Sequence, residues 1–377
     1  MQLHLIKPRI SHVLLLINLS LIISLICAYL APYISPAVFW PLAFFGLAYP
    51  VILVANIIIS LVWLFIRPKF AFYSLILIIT GIKPMLHEYQ WNRNRPVDSG
   101  KELTIVTFNV NNFSGIRNGE HNQTAQEEIF NFIRSQKPQI LCMQDMPVYW
   151  TVRNKTINKF ALKLGMKSIY INSFGGDTIG LFNSTALYTN FPRIDSGELL
   201  DRFRLSFAVY NDLLIGSETV RVYSVHLASI LLYGEKNMLT ASGIAESKKR
   251  GIPREIFRII RKLKSAFVRR AGQADILEAS ISTSPYPVIV CGDFNDTPLS
   301  YTIHTIRHGL KDSFTENGQG FGRTYIGSNV PLRIDNVFAD QSFTFSSHQV
   351  FDLRLSDHLP VVSHLWLGKK PASSAGE

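Results

Sequence analysis

Two polar side chains that follow one apolar run carry the clearest chemical signal in this sequence. Residues 287–292 read Pro-Val-Ile-Val-Cys-Gly, and Asp293 and Asn295 come next. A β-branched run closed by glycine predicts a buried strand, and positions two apart in extended backbone point to the same face. A carboxylate beside a carboxamide can hold a hard cation, a phosphate oxygen and a water molecule together. Because an Asx turn that closes a strand uses the same residue types, this motif needs support from elsewhere in the chain.

Four further segments supply that support. In each, an apolar run typical of a strand ends in, or carries, amide, carboxylate or imidazole side chains. These groups offer hard ligands for a cation and partners for proton transfer. The polar residues are Asn109 and Asn111 after residues 104–108, Gln144 and Asp145 after residues 139–143, His226 within residues 220–229, and Asp335, Asp357 and His358 within residues 333–362.

In this order and at these spacings, the five segments resemble the endonuclease/exonuclease/phosphatase superfamily of DNase I-like metal-dependent phosphoesterases. The resemblance extends over residues 101–368. It implies an α/β fold, a four-layer sandwich of two facing mixed β-sheets flanked by helices. An amphipathic helix expected over residues 123–136 agrees with that pattern. The resemblance also implies hydrolysis of phosphoester bonds with Mg²⁺ or Mn²⁺, a cation that neutralises the anionic oxygens and the leaving group.

The resemblance assigns roles to individual residues as well. It implies metal binding by three of them, namely Asn109, Asp145 and Asp357. It implies catalytic roles for five: Asp293 and Asn295 position the attacking water and a phosphate oxygen, His358 contacts the phosphate or activates water, Asp335 orients His358, and His226 binds phosphate or protonates the leaving oxygen. Whether Asp293 or His358 accepts the proton stays open at this point.

Three positions depart from the family pattern. Asp145 stands where family members carry Glu, which shortens the ligand arm by one methylene and puts the efficiency of catalysis in question. Asn111 stands where nuclease members often carry Asp. Asn336 follows Asp335 where an aromatic residue is usual, and we expect this change to alter packing and not chemistry.

The N-terminal quarter of the chain is strongly apolar. Hydrophobic residues make up 47% of the sequence, and the mean hydropathy is +0.16. The excess of hydrophobic residues is concentrated in the first 85 positions. We expect a transmembrane anchor over residues 1–86, with spans at about 11–31, 37–66 and 70–86. A cleavable signal peptide is the alternative for the first run, but more apolar sequence follows it. The third run reaches spanning length only if residues 84–86 continue it past Lys83.

Basic residues at the ends of the apolar runs predict the orientation. Lys7 and Arg9 precede the first run, and Arg67 and Lys69 separate the second from the third, which assigns both pairs to the cytoplasmic side. Three crossings then leave the C-terminal domain outside the cytoplasm. The basic residues at 83, 93 and 95 argue weakly against this orientation, and a third run that only dips into the membrane would reverse it.

The remaining segments are less informative about chemistry. Residues 87–100 are expected to form a linker and residues 369–377 a disordered tail. Seven basic and two acidic residues before position 100 account for +5 of the net charge of +11, which leaves about +6 for the rest of the chain. Much of that charge lies in residues 248–270, a basic amphipathic segment that fits a solvated surface helix, a helix on anionic lipid or a nucleic-acid contact. The spacing of the three cysteines predicts neither a disulfide nor a zinc site.

Taken together, the sequence predicts a multi-pass integral membrane protein with a divalent-metal-dependent phosphoesterase domain. The expected partners are the lipid bilayer and a phosphate-ester substrate, and no obligate protein partner is evident. The anchor and the basic segment favour a phospholipid headgroup. A metal-dependent nuclease acting on DNA or RNA and a catalytically weakened binding module are the alternatives, because one scaffold can carry all three functions.

Overall fold

The structure is a computed structural model that describes residues 8–91, 102–115, 122–149, 153–176, 181–230, 252–327 and 332–368. Statements about structure refer to these residues. Most of the expected linker and all of the expected tail lie outside them.

Two six-stranded sheets form the centre of the α/β part of the chain. The first has the strand order β11-β12-β1-β2-β4-β3 and the second has the order β5-β6-β7-β8-β10-β9. In each sheet the two central neighbours, β1 with β2 and β7 with β8, run parallel, and the other pairs run antiparallel. The strands are β1 Leu103–Asn109, β2 Ile140–Tyr149, β3 Lys167–Gly176, β4 Leu181–Thr189, β5 Arg193–Leu200, β6 Ser206–Ile215, β7 Glu218–His226, β8 Val288–Asp293, β9 Lys311–Asp312, β10 Asp335–Ala339, β11 Phe343–Val350 and β12 Val361–Leu367.

Helices cover the outer face of each sheet. Helices α7 (Gln123–Gln136) and α8 (Arg153–Leu164) pack on the first sheet, where Ile129, Phe130 and Phe160 share a core with β1. Helices α9 (Ile252–Ser282) and α10 (Tyr301–Ile306) pack on the second sheet in the same way. A short helix α11 (Ser313–Asn317) and a 3-10 turn (Asn111–Phe113) complete this part. The four-layer sandwich expected from the sequence is therefore confirmed.

Strict alternation along the strands decides which side chains can meet between the sheets. In β8, Ile289 and Cys291 pack in the core between the sheets, whereas Val290 packs under the helices. Asp293 continues the inward series at the strand's end. Alternation along β2 likewise directs Cys142 into the core between the sheets. The Cys142 and Cys291 thiols, which are distant in sequence, therefore lie 3.1 Å apart (Sγ to Sγ). Polar residues at the ends of these strands consequently share one edge of the sandwich.

The alternation is interrupted once where it matters for the site. Met143 and Met146 of β2 both pack on the helix side, although residues three apart should face opposite ways. The register against β4 shifts between these two methionines, which identifies a β-bulge with one extra residue. Asp145 occupies the bulge with a φ of +50°. The bulge thus turns Asp145 toward the edge between the sheets.

Six helices form the described N-terminal part: α1 Pro8–Leu30, α2 Pro36–Phe39, α3 Pro41–Leu47, α4 Tyr49–Ile66, α5 Pro68–Thr80 and α6 Ile82–Glu88. Two segments, Ser11–Leu30 and Tyr49–Ile66, are long and apolar enough to cross a membrane. Within the expected span of residues 37–66, the part that forms one helix of spanning length is Tyr49–Ile66. Pro41 and Pro50 each lie in the first turn of a new helix, where proline fits well, and the chain breaks before them.

The third apolar run also differs from expectation. Helices α5 and α6 meet at Gly81 with a bend of 60°, so residues 70–86 form a bent pair and not one straight helix. Up to three crossings are possible if the pair acts as a single span.

The N-terminal helices pack directly on the α/β part. Leu299, which follows β8 by six residues, shares a buried cluster with Leu25, Ala28 and Tyr49. The ring of Phe44 meets the ring of Phe267 on α9 edge-on, with 5.2 Å between their centroids. Apolar contacts of this kind hold the helices and the sandwich together.

Two arginines of the predicted basic segment are structural. Arg270 is buried, and its Nε donates to Asp296 Oδ2 at 3.0 Å, while Arg269 Nε donates to Asp201 Oδ2 at 2.7 Å. Residues 248–251 lie outside the described chain. At the C-terminal end of residues 248–270, therefore, these two arginines pair with carboxylates of the α/β part.

Gly292 offers a test of the close packing beneath the site. Its φ is +148°, and an added Cβ would lie 2.0 Å from the carbonyl oxygen of Val225 on the neighbouring strand. We expect Gly292→Ala to lower the free energy of unfolding by about 2–4 kcal/mol, from backbone strain plus overpacking. Unfolding in urea, monitored by tryptophan fluorescence, measures this loss in the free energy of unfolding. Gly309→Ala is the matched control, because Gly309 has a φ of +75° but nothing within 4 Å of the added Cβ; an equal loss in both variants would show that the contact with Val225 is unimportant.

Candidate active site

Asp293 lies at the centre of the polar edge. It ends β8, and the sheet register pairs it with His226 on β7 and with Asp335 on β10. All three side chains are buried, with 1% of Asp293 exposed. Because parallel and antiparallel neighbours end at the same level, three chemically active side chains from distant segments meet side by side.

One carboxylate oxygen of Asp293 receives most of the polar contacts. Asp293 Oδ2 accepts hydrogen bonds from Asn109 Nδ2 at 2.9 Å and from Asn295 Nδ2 at 3.1 Å. Nε2 of His226 lies 3.6 Å from the same oxygen, and Nε2 of His358 lies 3.7 Å from it. Burial raises the pKa of Asp293 to about 6, against the opposing effect of the two imidazoles.

Asn295 reaches Asp293 by a turn and not by the extended backbone that we expected. Its φ is +53°, its N–H donates to Asp293 Oδ1 at 2.8 Å, and its Nδ2 also donates to the Leu227 carbonyl at 3.0 Å. This is the Asx-type turn that was the structural alternative for the motif. The turn and the site are compatible, because the same turn holds the carboxamide against the carboxylate.

His358 and Asp335 form a buried pair. His358 Nδ1 lies 2.9 Å from Asp335 Oδ2, and the backbone N–H of Asp335 donates to Thr324 Oγ1 at 3.0 Å. Burial by itself lowers the pKa of His358, but the carboxylates of Asp335 and Asp293 outweigh burial and raise it to about 10. The imidazole is thus held in its protonated form, with Nε2 directed toward Asp293.

Asp145 joins this network from the bulge. Its Oδ2 accepts from Asn109 Nδ2 at 3.2 Å, and its Oδ1 lies 3.6 Å from His226 Nδ1. The side chain is 21% exposed, whereas Asp293 is closed to solvent. Asp is one of the residue types that tolerates a positive φ, and Glu is less suited to it. The shorter carboxylate therefore agrees with the backbone that carries it.

Asp357 lies beside the same group. It is buried, its negative charge contributes to the raised pKa of His358, and its carbonyl accepts from Ile326 N–H at 2.8 Å. The preceding Ser356 donates from Oγ to the carbonyl of Asn109 at 2.8 Å. All eight residues singled out from the sequence thus lie at one edge of the sandwich.

The donor set suits a hard divalent cation. Ligand atoms of Asp293, Asp335 and His358 lie within 4.8 Å of one another, but Asp335 and His358 already satisfy each other by a hydrogen bond. Asp145 is more open and is held by an amide and an imidazole only. Oxygen ligands without a thiolate fit Mg²⁺ or Mn²⁺ better than zinc.

Several contributors were assigned no role from the sequence, although Gln144 was noted at the end of its strand. Gln144 is fully buried and bridges the sheets, with Nε2 donating to Ser224 Oγ at 3.3 Å and to Thr107 Oγ1 at 3.3 Å. Thr324 holds Asp335, and Tyr325 packs its ring on His358 with centroids 5.0 Å apart. These residues belong to different segments, and no local spacing connects them.

The departures at Asn111 and Asn336 have local explanations. Asn111 Nδ2 donates to the Gly115 carbonyl at 3.3 Å, inside its own turn. Asn336 Oδ1 accepts a hydrogen bond from Arg333 Nη1, so this position serves packing around Arg333 as expected.

A two-sheet sandwich with carboxylates, amides and imidazoles at one edge is the architecture of a phosphoester hydrolase. The model of the Endonuclease/Exonuclease/phosphatase family matches residues 106–358, two thirds of the chain, and the chain belongs to this family, whose members hydrolyse phosphoester bonds. Residues 11–87 match a second model, described as Domain of unknown function (DUF8431). A search of curated proteins found no match.

Solved structures share the fold at low sequence identity. An endonuclease/exonuclease/phosphatase from Beutenbergia cavernae is similar with a TM-score of 0.51 and 16% identity, over 72% of this chain and 73% of that one. A family protein from Leptotrichia buccalis has a TM-score of 0.51 and 13% identity, over 69% of this chain and 98% of that one. The human Nocturnin catalytic domain has a TM-score of 0.49 and 16% identity, over 72% of this chain and 95% of that one.

Asp145 is the position at which the metal site can be tested most sharply. We expect Asp145→Asn to weaken Mg²⁺ binding by at least about tenfold, because a hard cation loses a charged ligand while the residue keeps its shape and its tolerance of positive φ. We expect Asp145→Glu to reduce turnover, because the longer arm crowds Asn109 and His226. Calorimetric Mg²⁺ titration and a hydrolysis assay measure the two effects. Equal Mg²⁺ affinity in all three proteins would remove Asp145 from the set of ligands.

Proposed function

We propose that this protein is a membrane-anchored, divalent-metal-dependent phosphoesterase that acts on phospholipid headgroups at the surface of the bilayer in which it is anchored. The observation that carries the proposal is the path from the site to the anchor. Only five residues separate Asp293 from Leu299, which is buried among the apolar helices α1 and α4. Gly46 of α3 lies so close to this residue that an added Cβ would be 2.4 Å from the Leu299 carbonyl. A site held this close to membrane helices meets substrates that are in the membrane.

The N-terminal end of α9 supports contact with lipid. Ile256 and Phe257 are 50% and 72% exposed, and basic residues at 254, 261 and 264 are exposed beside them. Lys264 Nζ lies 5.2 Å above the ring of Trp40, which lies between two helices of the anchor. Apolar and basic side chains next to an anchor are the combination that binds anionic lipid surfaces.

The packing of the N-terminal helices supports three crossings. Near the end of α1, Tyr29 donates to the carbonyl of Leu77 in α5 at 3.2 Å. Near its start, Leu14 and Leu15 share a cluster with Ile66 and Phe70, around the turn from α4 to α5. Helix α5 therefore runs beside α1 in the same direction, and α4 runs back. With the basic residues at 7, 9, 67 and 69 on the cytoplasmic side, the catalytic domain lies outside the cytoplasm.

The chemistry follows from the residues at the site. A divalent cation bound there would neutralise the charge on the phosphate and on the leaving oxygen, and Asn109, Asp145 and Asp357 would hold it. Asp293 is suited to accept the proton of the attacking water, because its raised pKa allows both forms near neutral pH. The Asn295 amide next to it would orient the water.

The two imidazoles have different tasks in this scheme. His358 is kept protonated by Asp335 and would donate from Nε2 to a phosphate oxygen. His226 lies between Asp145 and Asp293, 3.6 Å from each carboxylate, and would donate to the phosphate or to the leaving oxygen. This arrangement favours Asp293 over His358 as the base, the choice that the sequence left open.

The full-length protein in lipid nanodiscs tests the function. We expect it to hydrolyse phospholipid headgroups in mixed vesicles with Mg²⁺ or Mn²⁺ and to lose activity in EDTA, with phosphate and headgroup release measured by mass spectrometry. The variant Asp293→Asn keeps the shape of the side chain but removes the base, and it is the control for contaminating activity. Its rate of hydrolysis should be at least about 10²-fold lower than that of the wild type. Plasmid DNA, RNA and a bis-aryl phosphodiester are assayed in parallel. Cleavage of nucleic acid with intact lipid would favour a nuclease, and full turnover after chelation would exclude the metal.

A topology reporter tests the proposed orientation. We expect a reporter that is active only outside the cytoplasm to work when fused after Glu377, because three crossings separate it from the basic N-terminus. The same reporter fused after Arg67 is the control and should be inactive. Activity of a cytoplasmic reporter at Glu377 would contradict the orientation and would mean that the bent α5–α6 pair does not cross.

A further inference from the structure

The segment that leaves the last N-terminal helix does not run free toward the catalytic domain. Residues 87–91, the juxtamembrane segment, form a β-bridge with a loop of the sandwich, the bridging loop of residues 318–326. Gln90 N–H donates to the Gly320 carbonyl at 2.9 Å, and Gly320 N–H donates to the Gln90 carbonyl at 2.8 Å. The ring of Tyr89 packs on Phe321 with centroids 5.0 Å apart. The anchor is thus bound to the near end of the bridging loop.

The far end of the bridging loop is bound to the active site. Thr324 Oγ1 accepts from the N–H groups of Ile334 and Asp335, both at 3.0 Å, and the Thr324 carbonyl accepts from Leu359 N–H. Tyr325 pairs with His358 as a β-bridge and packs on its ring. Only three residues therefore separate the contact with the anchor at Gly320 from the contact with the catalytic pair at Thr324.

Arg333 forms a second connection between the same two places. It is buried, and it lies two residues before Asp335. One guanidinium nitrogen, Nη2, donates to the His87 carbonyl at 3.0 Å and to Asp312 Oδ2 at 3.3 Å, while Nη1 donates to Asn336 Oδ1. A buried guanidinium with fixed partners orients rigidly what it binds. Two connections therefore join the end of the anchor to Asp335: one runs through Thr324 of the bridging loop, and the other runs through Arg333.

We propose that the juxtamembrane segment is a positioning element of the active site, so that docking of the anchor aligns Asp335 and His358 through the bridging loop and Arg333. This inference rests on the proposed phosphoester chemistry for its kinetic effect, but the positioning itself does not require it. A small displacement of a catalytic pair reduces turnover more than it weakens the binding of substrate. The membrane anchor then has a role beyond attachment, because only the docked domain has an aligned site.

The test uses the full-length protein in nanodiscs and two substitutions at one position. Gln90→Pro removes the N–H that bonds to Gly320, and the extended backbone of Tyr89 (φ −138°, ψ 129°) accepts a following proline without disturbing α6. Gln90→Ala keeps both backbone hydrogen bonds and is the matched control. For the bis-aryl phosphodiester, we expect kcat of Gln90→Pro to fall by at least about tenfold with KM within about twofold, and Gln90→Ala to behave as wild type.

Hydrogen exchange gives a readout that is independent of activity. We expect the amides of Ile334, Asp335 and Leu359 to exchange faster in Gln90→Pro, while the amides of β1 and β7 keep wild-type protection. Phe321 is 54% exposed, so Phe321→Ala is a second variant that leaves the core intact, and Phe321→Tyr should restore both the ring contact and the kinetics. Wild-type exchange and kcat in both Gln90→Pro and Phe321→Ala would overturn the proposal. A wild-type protein that hydrolyses no phosphoester would refute the proposed function, and the exchange experiment would still decide the positioning.

Discussion

The buried carboxylate of Asp293 is the constraint on which the site depends. A carboxylate closed to solvent is costly unless it is hydrogen-bonded and paired. Asp293 meets this requirement with groups from both sheets, because Asn109 belongs to the first sheet, His226 belongs to the second, and Asn295 lies in the turn that follows β8. The same contacts that satisfy the charge therefore hold the two sheets together at the edge that carries the candidate site.

The surrounding elements are arranged to deliver those partners. Strand ends on both sides of β8 stop at the level of Asp293, and Gly292 allows the close approach of Val225 just before it. On the first sheet the bulge in β2 turns Asp145 toward Asn109 and His226. Two of the seven non-glycine residues with a positive φ in the described chain, Asp145 and Asn295, lie here, and such backbone is common at functional sites. The Asp that replaces the family's Glu is thus better understood as part of a strained, local geometry than as a loss.

The N-terminal helices and the sandwich are in direct contact on the side of the candidate site. Leu299 is buried among the N-terminal helices, Arg270 and Asp296 fix the loop between it and Asp293, and the juxtamembrane segment binds the bridging loop. Apolar burial supplies the attraction and the buried hydrogen bonds supply the direction. A sandwich joined to the N-terminal helices at several points is expected to move with them as one unit.

The sequence by itself determined the strands, their polar ends and the apolar character of the first 85 residues, because periodicity and composition are local properties. The strand-like runs identified Asn109, His226 and Asp293 as polar residues on or after predicted strands, and the resemblance placed them in one site with Asp335 and His358. The tertiary structure alone decided the rest. The bulge at Asp145 and the turn at Asn295 depend on register and packing. The burial of Arg270, the pairing of Gln144 with Ser224 and the docking of residues 87–91 depend on contacts between segments far apart in the chain, which no local pattern encodes.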